Sequence, residues 1–296
     1  MNGRERGFLL LTSHLGDPER KVLTGPQLRV LAQAVAGVKM DKRSGDVGEQ
    51  ELMDLGFNRQ SAQKILQLLS EEERLDWYLR SGSQSDCLAI TRVSPGYPKI
   101  LRQRLGLDSP GCLWIKGDPT LLFTPAISLV GSRDLRKDNF AFAQQVGKQA
   151  ARQGITLISG NARGADTAAQ EACLEYGGRV ISVVADRLEK HPLRENVLYI
   201  SEDGYDLDFS SQRALSRNRV IHALGSCVLV AQSSLEKGGT WDGTVKNLKY
   251  NWSPVYCYND GSKAISQLLQ MGAYPVTEEQ LCRLKDLSVT ENLFDQ

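Results

Sequence analysis

Ala126-Ile127-Ser128-Leu129-Val130-Gly131-Ser132-Arg133-Asp134 and Ile155-Thr156-Leu157-Ile158-Ser159-Gly160-Asn161-Ala162-Arg163-Gly164-Ala165-Asp166 decide the fold. Each is an apolar run of strand-like composition that passes into a glycine-containing loop carrying one arginine, and then into a helix-like stretch. Glycine lets a backbone turn sharply and approach a ligand closely. A helix N-terminus offers unpaired N–H groups to an anion. Arginine adds a forked, charged donor suited to phosphate. Two such loops in one sheet point to a phosphate-bearing ligand laid across the ends of neighbouring strands.

Outward from these loops, strands are expected at 126–130, 155–159, 180–184, 227–231 and 254–258, and helices at 138–153, 166–176, 211–224, 242–250 and 262–271. Strands alternating with helices indicate βαβ units and an α/β fold with a parallel sheet. The strands are short and apolar throughout, as a sheet covered on both faces requires. Leu113-Trp114-Ile115 reads as a further short strand. Residues 1–85 carry helical signals, with apolar residues at helical spacing after Gly25-Pro26 and again over 60–69. Asp54-Leu55-Gly56-Phe57 reads as a tight turn between two helices, a module that either binds a DNA backbone or serves packing. The expected division is a small N-terminal helical domain (1–85), a sheet domain (86–274) and a short tail (275–296).

Composition bounds the function. The chain has 296 residues, 41% hydrophobic and 24% charged, with a formal net charge of +1. A nucleic-acid site would therefore be a local basic patch, not a global field. Six cysteines and three histidines are scattered without clustering. That argues against a disulfide framework or a zinc site and favours buried free thiols. The run Phe8-Leu9-Leu10-Leu11 is too short for a signal core or a membrane span. A cytoplasmic protein with no membrane partner, metal or cofactor is expected.

Two further segments add polar groups. Ser216-Arg217-Asn218-Arg219 precedes the apolar Val220-Ile221, and its arginines serve either phosphate or solvent. Lys237-Gly238-Gly239-Thr240-Trp241-Asp242-Gly243-Thr244 follows the strand at 227–231, and a glycine turn of this kind can form an anion nest. Trp241 is either a stacking platform, worth about 1–3 kcal/mol per base, or a core anchor. Asp166 is read as a cap for a helix starting at Thr167, and Arg163 either meets an anion or pairs with Asp166.

In this order the segments resemble the DprA (Smf) family of DNA-processing proteins. The resemblance covers about 90 to 274. It rests on Gly96-Tyr97-Pro98-Lys99-Ile100-Leu101, Pro110-Gly111-Cys112-Leu113-Trp114-Ile115-Lys116-Gly117, the two arginine loops, Gly177-Gly178, Ser201-Glu202 and Arg217-Asn218-Arg219-Val220-Ile221. It implies an extended Rossmann-like domain, usually dimeric, with an N-terminal accessory domain. It also implies single-stranded DNA binding and loading of a RecA-type recombinase during transformation or recombination, without enzymatic activity. Carried over, Gly131, Ser132, Arg133, Gly160, Arg163, Gly164, Arg217, Asn218 and Arg219 meet DNA phosphates. Lys237, Gly238, Gly239 and Thr240 complete the candidate pocket.

The chain departs from the family pattern at several positions. Gln170 follows Ala169 where relatives often have histidine, and Ala214 stands where an aromatic is usual. The span from His191 to Ser201 is short enough to lack a helix. The glycine loop at 237–244 also resembles the Gly-Gly-x-Gly-Thr loop of cytokinin-activating phosphoribohydrolases. That keeps open an alternative, a nucleotide-binding sensor or nucleotide-processing protein. No carboxylate follows the loop to serve catalysis, and Asp242 is the only acid nearby.

Overall fold

A computed structural model of the chain describes residues 1–36 and 47–287. Its elements run α1 (Gly3–Thr12), α2 (Gly25–Ala36), α3 (Glu49–Asp54), α4 (Arg59–Leu69), α5 (Glu72–Gln84), β1 (Leu88–Thr91), α6 (Lys99–Leu105) and β2 (Cys112–Gly117). Then come β3 (Ala126–Val130), α7 (Lys137–Arg152), β4 (Thr156–Ser159), α8 (Ala165–Glu175), β5 (Val180–Val183) and β6 (Val197–Ser201). The last are α9 (Ser211–Ser216), α10 (Asn218–Leu224), β7 (Val228–Val230), α11 (Gly238–Tyr250), β8 (Val255–Cys257), α12 (Lys263–Gln270), β9 (Tyr274–Pro275) and α13 (Glu278–Leu281).

The strands form one sheet in the order β1-β2-β6-β5-β4-β3-β7-β8-β9. From β6 to β9 every pairing is parallel, whereas β2 joins β6 and β1 joins β2 antiparallel. This is the expected α/β parallel sheet of Rossmann-like type, extended at one edge by two antiparallel strands. Strand order climbs from β3 through β6 in one direction and from β7 through β9 in the other. The switch point therefore lies between β3 and β7, where an open crevice forms beyond the strand ends.

Alternate side chains of each strand reach opposite faces. Leu129 and Leu157 join Phe142, Val146 and Ala169 of α7 and α8 on one side. Val130 and Ile158 join Val220, Ile221 and Ile265 on the other. The N-terminal helices divide in their packing. Leu9, Leu10, Leu75 and Tyr78 of α1 and α5 bury into the first of these cores, beside Trp114. A separate small cluster holds Leu23, Leu31, Leu52, Ile65 and Leu68. Leu281, Leu284 and Leu287 of the tail also lie in the first core.

The expected strands and helices occur within a few residues, with three differences. The stretch 211–224 is two helices, because Arg217 interrupts it as the C-cap of α9 and N-cap of α10. Helix α11 opens at Gly238, not at 242, so the glycine segment is its first turn. Strands β1, β6 and β9 lie outside the expected set. Between β5 and β6 the chain makes only a 3-10 turn, Leu188–Lys190, consistent with a helix missing from that span. Five of the six cysteines are buried and Cys282 is exposed. Among the described residues, no helix is long and apolar enough to cross a membrane.

Candidate nucleic-acid interface

The loop after β3 and the loop after β7 meet at the switch point. The Ser132 N–H donates to the Gln232 carbonyl at 3.0 Å. The Gln232 side chain accepts from the Arg136 N–H and donates to the Asp134 carbonyl, both at 2.9 Å. One amide thus fixes the path of the whole Gly131–Arg136 loop. Between the two loops lies a cavity of about 450 Å³. Gly131, Ser132 and Arg133 line one wall, Arg217 and Asn218 the back, and Lys237, Gly238, Gly239 and Thr240 the other.

Helix α11 points its N-terminus into this cavity. Its N-cap, Lys237, supplies no side-chain hydrogen bond. The first-turn N–H groups therefore keep their donor capacity, and the positive end of the helix dipole faces the same space. Asn218 holds the helix start in place, its amide donating to the Gly239 carbonyl at 3.0 Å.

A second cavity, of about 310 Å³, adjoins the first and shares Arg133, Ala162 and Arg217 with it. Gly160, Asn161 and Arg163 line it from the loop after β4, and Val184, Ala185 and Asp186 from the loop after β5. Arg133 stands between the two cavities. It is exposed, and it makes no hydrogen bond or ion pair with any described residue.

The other arginines are spoken for. Arg217 is buried, and its guanidinium donates to the carbonyl oxygens of Gly160 and Val183. It works as a strut joining the ends of β4 and β5, with Asp166 as its charge partner. Burial lowers the Arg217 pKa. Burial also pushes the Asp166 carboxyl up to about 6, against the pull of Arg217 and of the Ala162 and Gly160 N–H groups. Asp166 therefore does not cap α8. The helix starts at Ala165 with Gly164 as N-cap, and the carboxylate reaches back to the Gly160 and Ala162 N–H groups at 3.1 and 3.2 Å. Arg163 pairs with Asp134 at 2.6 Å, not with Asp166. That pair is highly exposed, so it contributes roughly 0–1 kcal/mol and yields readily to a phosphate.

Arg219 lies apart. It pairs with Glu202 at 2.6 Å and donates to the Asp108 carbonyl, and it lines neither cavity. Burial raises the Glu202 pKa, against the Arg219 charge. Trp241 is half-buried and packs against the second core. Asp242 forms an ion pair with Lys246 one turn along the same helix, at 2.8 Å.

Geometry requires glycine at positions 164 and 160, as it does at 131. Gly164 sits at φ +94°, and a Cβ there would overlap the carbonyl oxygens of Ser132 and Arg133. A Cβ on Gly160 would overlap the Arg217 guanidinium. Gln170, where relatives often carry histidine, donates to the Ser159 hydroxyl at 2.5 Å and is buried. Gln232, Asp186 and Phe209 are among the residues at the site that escaped the sequence reading. Phe209 was legible as a lone aromatic in the polar stretch 206–213.

Comparison with known proteins identifies the family and the fold. Residues 88–284 match the family model for DNA recombination-mediator protein A. Protein Smf of Escherichia coli (strain K12) is 28% identical over 247 residues, which cover 77% of this chain and 64% of that protein. The matches span just under two thirds of the length of the first curated relatives. The X-ray structure of DNA processing protein A (DprA) from Streptococcus pneumoniae superposes with a TM-score of 0.69 at 23% identity, covering 96% of this chain and 99% of that one. A structure describing the single-stranded DNA binding mode of DNA processing protein A from Helicobacter pylori gives a TM-score of 0.57 at 23% identity. It covers 68% of this chain and 97% of that one. At these identities the two structures establish a shared fold.

Proposed function

The chain belongs to the DNA recombination-mediator protein A family, and on that premise we propose that it binds single-stranded DNA along its two adjoining cavities. It acts in DNA recombination and processing, as a homodimer that loads a RecA-type recombinase onto the strand, including during natural transformation. Arg133 carries the reading. It is an unpartnered guanidinium at the boundary of two cavities at the switch point, where a phosphodiester crossing from one to the other would meet it. The N-terminus of α11 and Lys237 take a second phosphate. Arg163 takes a third on release from Asp134. Gly131, Ser132, Gly160 and Gly164 keep side-chain bulk away from the strand, and Gly238, Gly239 and Thr240 offer it the N–H groups of the α11 first turn. Arg217 and Asn218 act from behind, by fixing that backbone. Phosphate contacts of this kind supply affinity without sequence preference.

A second reading, a mononucleotide sensor, draws on the size of the first cavity and the uncapped start of α11 above it. A nucleotide-processing enzyme is disfavoured because no carboxylate follows Thr244 in the stretch 245–250. Fluorescence anisotropy of a labelled oligothymidylate, with thymidine monophosphate as competitor, separates the readings. Tight binding of the strand with weak competition supports a polynucleotide ligand. Displacement by equimolar monophosphate supports the sensor.

A further inference from the structure

Phe209 is 55% exposed to solvent and lines the second cavity. A large aromatic left in solvent is unfavourable on its own, and this one is held there. Arg213 donates to the carbonyl oxygens of Leu207 and Asp208, both at 2.8 Å. The same guanidinium reaches the Ala185 carbonyl at 3.0 Å and pairs with Asp203 at 3.0 Å. On the other side of Phe209, Ser210 caps α9 by accepting from the Arg213 N–H at 3.1 Å. Arg187 adds a bond to Asp208 at 2.8 Å. The backbone is thus pinned on both sides of Phe209.

The rest of that cavity is unlike a phosphate site. Val184 and Ala185 give it an apolar side. Arg163 is an exposed cation that a phosphate can draw from Asp134, whereas the buried Arg217 is occupied by main-chain carbonyls. Asp186 adds a half-exposed carboxylate, which accepts from His191 at 2.9 Å. Hydrogen bonding from His191 holds the Asp186 carboxyl below the usual carboxylate range. An anion beside this carboxylate is repelled, whereas the N–H groups of a base edge find an acceptor. Arg133, at the boundary with the first cavity, is placed for the phosphate attached to such a base. Ala214, where the family pattern has an aromatic, lines the first cavity and leaves that space open.

We propose that the second cavity is a nucleobase subsite, in which the Phe209 ring stacks on one base of the bound single strand. This rests on the single-strand reading above and assigns the aromatic role to a residue five positions before Ala214. Stacking of one base on an aromatic ring changes affinity by about tenfold or more, independently of sequence.

The test compares the full chain with Phe209→Ala and Phe209→Trp, using labelled oligothymidylate and an abasic strand of equal length. The wild type should favour oligothymidylate. Phe209→Ala should lose about tenfold on oligothymidylate and nothing on the abasic strand. Phe209→Trp should keep the affinity and show tryptophan quenching on binding, beyond that of the wild type. Quenching by the strand but not by equimolar thymidine monophosphate locates the base within a polymer, and equal quenching by both overturns that. An unchanged affinity in Phe209→Ala, or an equal loss on both strands, overturns the proposal. A wild type that binds neither strand removes the single-strand reading itself, and this inference with it.

Discussion

The Arg217 guanidinium donates to the carbonyl oxygen of Gly160, 57 residues away in sequence. With its partner bond to Val183, this ties the hinge between α9 and α10 to the ends of two central strands. An arginine that the family pattern suggests for phosphate binding is thereby an internal brace. It fixes the loop from which Asn161, Ala162 and Arg163 project. The site's cations divide into those that build it, Arg217 and Arg213, and those that bind, Arg133, Lys237 and, on release from Asp134, Arg163.

Gly160→Ala should destabilise the protein by about 1–3 kcal/mol, the usual range for forcing atoms into a packed site. Arg217→Ala should cost about 3 kcal/mol or more, because it leaves Asp166 buried without its charge partner. Urea denaturation followed by circular dichroism checks both. A Gly160→Ala midpoint equal to the wild type would contradict the bracing role.

Arg133→Ala and Arg219→Ala should part ways. Arg133 has no partner among the described residues, so its loss should change stability by no more than about 0.5 kcal/mol. It should weaken single-strand binding and lower the salt slope by roughly one phosphate contact. Arg219→Ala should leave binding nearly intact. It should cost about 2 kcal/mol of stability, because the buried Glu202 carboxylate loses its pair. Paired denaturation and anisotropy measurements on the two variants decide this.

Stability against pH should show two opposed contributions. The folded Asp166 carboxyl titrates near 6, above its ordinary 3.8. The folded state therefore binds the extra proton between those values, and the Asp166 contribution is lost as pH rises through about 6. His222 is fully buried and pushed down to about 3 by desolvation. Its contribution is present above its ordinary 6.5 and is lost as pH falls towards 3. In the wild type the two offset between roughly pH 4 and 6. Asp166→Asn should leave the histidine effect alone, giving steeper acid destabilisation in that window. Thermal melts across the window measure it, and an unchanged profile would contradict the burial of Asp166.

Asp242→Ala should change no nucleotide chemistry, because no catalytic carboxylate follows the glycine segment and Asp242 makes only an exposed pair with Lys246. Base release from a panel of nucleoside monophosphates should be absent in both the wild type and the variant. Release by the wild type that Asp242→Ala abolishes would revive the enzymatic alternative.

The parallel core and its loops were legible because each strand is an apolar run closed by glycine or a polar turn. Strand β6 was hidden because Val197–Ser201 follows the polar, proline-bearing stretch His191–Asn196, and no helical pattern precedes it to signal a βαβ unit. The break at Arg217 left no local mark, since both flanks have helical composition and the cause is a bond to Gly160. Sequence order assembled Arg133, Arg163 and the 237–240 segment at one place. It also grouped Arg219 with them, although Arg219 sits two residues beyond Arg217 in α10 and turns to Glu202. Which arginine braces and which is free depends on partners distant in sequence, Gly160 and Val183 for one and Asp134 for another. Gln232 went unread for the same reason, as it acquires its role only from the loop that folds beside it, whereas Phe209 left a local mark as a lone aromatic in the stretch 206–213.

The most direct test of the account is a salt titration of oligothymidylate binding by the wild-type chain, beside duplex DNA of the same length and thymidine monophosphate. With Arg133, Arg163 and Lys237 each meeting a phosphate, log affinity for the single strand should fall with log salt at a slope of about −2. The duplex and the monophosphate should bind more weakly at every salt concentration. Absence of single-strand binding at low salt, or an affinity for the monophosphate equal to that for the strand, would contradict the account.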